Sequence, residues 1–204
     1  MSAIWRGTAP LLLASTSPVR RTLLEAAGFP VETVPPDVDE RAVEASLGPG
    51  IRPAELAARL AAEKASAVAR LHPERIVIGA DQVLDLDGES LGKPGSPENA
   101  RRQIARLAGR SHFLHSAVAV ATGGRLHAVR VATARLSVRD LDDAAIAHYV
   151  ASAGEAATRS AGGYEIEGLG IHLFSAVDGE HSTILGLPLL PTLALLRELD
   201  LIAL

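Results

Sequence analysis

Residues 11–28 read LLLASTSPVRRTLLEAAG. Leu11–Ala14 is a short apolar run of the kind that forms a buried strand. Ser17-Pro18 is a helix start, since serine caps the free N–H groups and proline suits the first helical position. Pro18–Ala27 is then a helix, closed by Gly28. A strand running within a few residues into a helix is the opening of an α/β fold. The stretch also breaks a local rule. Arg20 and Arg21 stand in the first turn, where the helix dipole is already positive. Free N–H groups, the dipole and two cations together favour a bound polyanion. The plain alternative is two solvated arginines.

Outward from this stretch the alternation continues. Val31–Val34 reads as a short strand, followed by the acidic loop PPDVDE with Asp37, Asp39 and Glu40. Pro53–Leu71 reads as a long helix. Ile76–Ala80 is continuously apolar, as a strand buried on both faces is. Val83–Leu86 and Ser90-Leu91 flank Asp87-Gly88, a hairpin turn. Ser96-Pro97 opens another helix, ended by Gly109. Phe113–Ala121 and Leu126–Val138 are extended runs around Gly123-Gly124. A helix from about Asp142 to Ala151, a strand at Ile171–Val177 and a helix at Pro188–Leu199 complete the chain. The fold class expected is α/β, a mixed twisted central sheet with flanking helices, forming one domain over residues 1–204 whose two lobes enclose a cleft.

Bulk properties narrow the function. The chain has 204 residues, 48% of them hydrophobic, so a substantial core is expected. Its formal net charge is −4, which gives no basic footprint for nucleic acid. The chain has no cysteine, which excludes disulfides, thiolate nucleophiles and cysteine-ligated zinc and agrees with a cytoplasmic location. No apolar run reaches the roughly 18 residues that span a bilayer. The opening MSAIWRGTAP lacks the pattern of a signal peptide. Among the seven histidines, His112 and His115 are closest, and no metal-ligand spacing extends from them.

Four further positions carry chemistry. Lys64 falls on the apolar stripe of the long helix, four residues from both Leu60 and Val68, where it must snorkel out or meet an anion. Asp81 immediately follows the buried run Ile76–Ala80. A carboxylate there suits a hard cation or water activation, or else merely caps a strand end. Lys93 follows the hairpin and is a candidate point-charge phosphate ligand. Glu167 lies among glycines 162, 163, 168 and 170, in a segment able to approach the edge of a base closely or simply to serve as a flexible connection.

ASTSPVRRTLL, DVDE, AAEKA, IGADQV, LGKP, AGGYEIEGLGI and ILGLP, in this order and spacing from Leu11 to about Leu199, resemble the Maf family of nucleoside triphosphate pyrophosphatases. The resemblance implies a mixed α/β fold with a long cleft. It implies hydrolysis of a nucleoside triphosphate to monophosphate and pyrophosphate, with a divalent metal cation, magnesium or manganese, as cofactor. Asp81 matches the family's catalytic proton acceptor. Ser15, Arg20, Lys64 and Lys93 match its triphosphate-binding positions, and Glu40 with Asp81 would hold the metal. Base preference divides the family. Gln82 and Glu167 match the branch acting on 7-methyl-GTP, whereas Val19 stands where that branch has a tryptophan able to stack on a cationic base. The alternatives are the dTTP/UTP branch and a non-catalytic nucleotide-binding regulator of cell division. The partner expected is a small-molecule nucleotide, with no nucleic acid, no membrane and at most a second copy in a homodimer. Because Arg20 and Lys64 look like cations in an unfavourable empty site, their removal is expected to leave thermal stability unchanged or higher.

Overall fold

The computed structural model describes residues 4–203; the first three residues of the opening read for a signal peptide lie outside it. In chain order the elements are β1 (Leu11–Ala14), α1 (Pro18–Ala26), β2 (Val31–Thr33), α2 (Glu40–Ser46), α3 (Pro53–Leu71), β3 (Val77–Leu86) and β4 (Glu89–Leu91). There follow α4 (Pro97–Leu107), β5 (Ser111–Thr122), β6 (Arg125–Val138), α5 (Asp143–Ala153), α6 (Ala156–Arg159), β7 (Phe174–Asp178), α7 (His181–Ile184) and α8 (Leu189–Glu198). The strands form a seven-stranded mixed sheet in the order β2-β1-β3-β5-β6-β7, with β4 paired to β3. β1 is parallel to both β2 and β3, while the β3–β4 and β6–β7 pairs are antiparallel.

The chain divides into two compact units. The first comprises Met1–Gln82, Ser116–Ala132 and His181–Leu204; the second comprises Val83–His115 and Thr133–Glu180. In the first unit the two faces of β3 are used differently. Ile78 and Ala80 join Leu11, Leu13, Leu24, Val118, Val120, Leu187, Leu195 and Leu196 in one apolar cluster. The alternate residues, Val77, Gly79 and Asp81, point the other way, as the strand period demands. There α3 lies against Gly79. A Cβ at position 79 would stand 2.2 Å from the Ala61 carbonyl oxygen and 2.5 Å from the Ala65 nitrogen. Only glycine allows this approach of backbone to backbone.

In the second unit the Asp87-Gly88 turn joins β3 to β4, both residues at positive φ. Buried His112 contacts Tyr164, its Nε2 2.6 Å from the phenol oxygen, and Tyr149 donates to the Gly163 carbonyl. His115 bridges Asp85 and Thr133. Among the described residues no helix is long and apolar enough to cross a membrane.

Three expected boundaries shift. β3 does not stop at Ala80 but runs through Asp81 to Leu86, because the polar residues that interrupt the apolar run have partners that keep them in the strand. Glu40 is not in a loop: it is the first residue of α2, whose cap is Asp39, its side chain accepting from the Ala42 N–H. β7 starts at Phe174 rather than Ile171, since Leu169–Leu173 form a 3₁₀ helix.

Candidate functional site

The opening pair of arginines separates into two roles. Arg21 lies on the surface and pairs with Glu25 at 2.7 Å, an ordinary i,i+4 pair. Arg20 turns inward. Its Nη1 donates to the Ala80 carbonyl at 2.9 Å and to Ser15 Oγ at 3.4 Å, and its Nε donates to the Gly186 carbonyl at 2.8 Å. Ser17 caps α1, its side chain accepting from the Arg20 N–H, and buried Ser15 accepts from the Ser17 N–H. Burial pulls the Arg20 guanidinium below its ordinary value, opposed by the charges of Asp81 and Glu40. It remains a cation, as arginine does in proteins.

Lys64 occupies the buried face of α3, and its ammonium lies 2.5 Å from Asp81 and 2.6 Å from Glu40. The apolar stripe therefore carries a lysine because two carboxylates converge on it. The close packing of Gly79 against Ala61 and Ala65 brings this turn of α3 to the strand face that also carries Asp81. Burial raises the Asp81 carboxyl above the usual carboxylate range, while Lys64 and Arg20 pull it down and Glu40 adds to the rise. The consequence corrects the stability expectation. Lys64 neutralises a buried carboxylate and Arg20 satisfies two backbone carbonyls, so neither is an idle cation whose loss would be free.

Glu40, its side chain half exposed, and Asp81 thus face a common point. Two carboxylates suit magnesium, which keeps waters and substrate phosphates as its other ligands. Among the described residues no group of three or more metal-capable side chains forms.

Gln82 follows Asp81 on the opposite face of β3. Its Nε2 donates to Thr183 O and Ile184 O, each at 2.9 Å, and lies 3.0 Å from Ser116 Oγ. Val19 is exposed on α1. Ser15, Arg20, Glu40, Lys64, Asp81 and Gln82 all belong to the first unit. Lys93 and Glu167 belong to the second. Lys93 is exposed and lines an open pocket of about 350 Å³ with Arg102 and Arg106, the latter paired to Glu89 at 2.5 Å. Glu167 is exposed in the turn before the 3₁₀ helix.

Sequence reasoning missed Gly79, Ser116 and the Thr183–Gly186 turn. ILGLP signalled the last only as a family mark. Ser116 gave no signal: a serine in an alternating strand reads as solvent-facing, yet it is fully buried and donates to Thr183 O at 2.6 Å.

The family model described as "Maf-like protein" matches residues 10–199. A nucleoside triphosphate pyrophosphatase of Nitrobacter winogradskyi is 52% identical over 202 residues, 99% of this chain and all of its own length. A 7-methyl-GTP pyrophosphatase of Brucella abortus is 46% identical over 192 residues, 94% of this chain and 96% of the relative. Among solved structures, the Staphylococcus aureus Ham1 protein is similar over 65% of this chain and 72% of its own, at 18% identity and a TM-score of 0.40. By the family match over nearly its whole length and the identity to these relatives, the chain belongs to the Maf-like family.

Proposed function

We propose that the protein is a nucleoside triphosphate pyrophosphatase whose chemistry is centred on Asp81. The observation that carries this is the buried Lys64 ammonium held by both Asp81 and Glu40, beside an inward-turned arginine at a helix start. The names of the relatives support the same activity. Water attacks the α-phosphorus, its oxygen forms the new P–O bond, and the α–β bridging bond breaks to release pyrophosphate. Asp81 accepts the proton from that water. A carboxyl raised by burial is better matched to accepting a proton near neutral pH than an ordinary one. Arg20 and Lys64 stabilise charge on the transferred and departing phosphates. A divalent cation held by Glu40 and Asp81 would neutralise phosphate charge and lower the pKa of the attacking water. From the family resemblance, Lys93 is assigned as a further phosphate contact.

Within this activity we assign 7-methyl-GTP as the preferred substrate. Glu167, from the same resemblance, is the base contact. A carboxylate accepts from the N–H and amino groups of a guanine edge and favours its 7-methylated cation, whereas a thymine or uracil edge sets a carbonyl against it. Mismatched polar groups discriminate by about 10⁴ in favourable cases. The test is pyrophosphate release from 7-methyl-GTP, GTP, UTP and dTTP with magnesium. The expected result is the highest kcat/KM on 7-methyl-GTP and a narrower margin over UTP in Glu167→Gln. UTP or dTTP as the best substrate of the unmodified protein would overturn the base preference and leave the activity standing.

A further inference from the structure

Position 82 sits next to the proposed catalytic carboxylate, where a side chain that reads the substrate base would be expected. The geometry gives its amide different work. Two of the Gln82 Nε2 partners are backbone carbonyls, of Thr183 and Ile184. A carbonyl only accepts, so the NH₂ end of the amide, and not its oxygen, must face them. Both amide hydrogens are thereby directed at acceptors within the protein, these two carbonyls and Ser116 Oγ. The two carbonyls are those of the last two residues of the short helix α7.

The same turn meets the site again three residues on. The Gly186 N–H donates to Thr183 O at 3.1 Å, and buried Ser116 donates to that carbonyl as well. The Gly186 carbonyl then accepts from Arg20 Nε. Gly186 has φ +92°, a conformation that favours glycine, and a Cβ there would lie 3.3 Å from Arg20 Nη2, a tight contact with the guanidinium that lies against the turn. Arg20 also holds the carbonyl of Ala80, two residues before Gln82. Strand β3 thus grips the Thr183–Gly186 turn from both sides of Asp81, once through Gln82 and once through Arg20. All of these residues lie in the first unit.

We propose that Gln82 is a positioning residue: by fixing the Thr183–Gly186 turn, with Ser116 supporting it, Gln82 aims Arg20 at the substrate phosphates. The inference rests on the reading of Arg20 as a phosphate-binding residue. It replaces base reading by the Gln82 NH₂ group with an effect on the phosphates, which every nucleotide shares.

The experiment is steady-state kinetics of Gln82→Met, Arg20→Ala and their double variant on 7-methyl-GTP, GTP, UTP and dTTP. Methionine keeps the length and removes both donors. The expected result is a fall in kcat/KM of about tenfold, the scale of one to two lost hydrogen bonds, by a similar factor on all four nucleotides. In the Arg20→Ala background the same change should add less than about threefold, because the group being aimed is gone. A loss concentrated on one base, or full additivity with Arg20→Ala, would overturn the proposal. If Gln82→Met does not fold, Ser116→Ala carries the test: a loss uniform across bases supports the proposal, and a base-selective loss or none contradicts it. An Arg20→Ala protein with unchanged kinetics would overturn the phosphate reading itself, and this inference with it. That outcome is distinguishable from the others, which require Arg20→Ala to be impaired.

Discussion

The Lys64 ammonium and the Asp81 carboxylate lie 2.5 Å apart, with less than a tenth of either side chain exposed. A buried pair of this kind is costly to break on one side, because the remaining charge keeps its desolvation penalty without its partner. Lys64→Met should therefore lower the melting temperature, by an amount equivalent to about 3 kcal/mol, and the second change Asp81→Asn should recover much of it. Thermal unfolding of the single and double variants measures this. A single variant as stable as the unmodified protein would show that Arg20 alone suffices to hold Asp81.

Gly79 makes a sharper structural prediction. A Cβ at this position would collide with backbone atoms of Ala61 and Ala65, and backbone cannot swing aside as a side-chain end can. Gly79→Ala should push α3 from β3, destabilise the protein by about 2 kcal/mol or more and reduce turnover by displacing Lys64. Melting temperature and kcat, measured together, check it. An alanine tolerated without loss of either would contradict the packing described.

The contrast between Lys64 and Gly79 shows what the sequence could convey. Strand–helix alternation, the α3 stripe and the Asp87-Gly88 hairpin were legible because each is a local pattern of period or turn chemistry. Lys64 was legible as an anomaly, a cation on an apolar stripe, although its two partners were not. Gly79 carried no local mark at all, because its role is set by a helix that begins 26 residues earlier in the chain. The extent of β3 was misread at Asp81 because a charge looks like a strand end until its buried counterion is known. Glu40 was misplaced in a loop because the short helix it opens has no buried stripe of its own. Ser116 and the Thr183–Gly186 turn meet Gln82 only in three dimensions.

His112 supplies a pH dependence. It is almost fully buried, and burial pulls its imidazole from 6.5 down to about 4. Between these values the unfolded chain binds a proton that the folded chain does not, so stability falls as pH drops from 6.5 to about 4 and levels off below. The difference corresponds to on the order of 3 kcal/mol. Melting temperature against pH should fall less steeply in this window for His112→Phe than for the unmodified protein. Equal slopes would remove His112 from the account.

Glu40 is the more exposed of the two carboxylates that face Lys64, and the metal role proposed for it is separable from catalysis. Glu40→Gln should raise the magnesium concentration for half-maximal rate by about tenfold while leaving the fold intact. Direct manganese binding, measured by calorimetry with and without a non-hydrolysable nucleotide, should weaken in parallel. Unchanged metal dependence in both measurements would remove Glu40 from the metal site.

The most direct test of the central claim is product analysis of nucleoside triphosphate hydrolysis by the unmodified protein and by Asp81→Asn, with magnesium present. Asparagine keeps the shape of the side chain and removes the proton acceptor. The expected result is one pyrophosphate and one nucleoside monophosphate per turnover, and a loss of about 10²–10⁴ in kcat for Asp81→Asn while the protein remains folded. Release of orthophosphate and a diphosphate, or near-normal turnover by a folded Asp81→Asn protein, would contradict it.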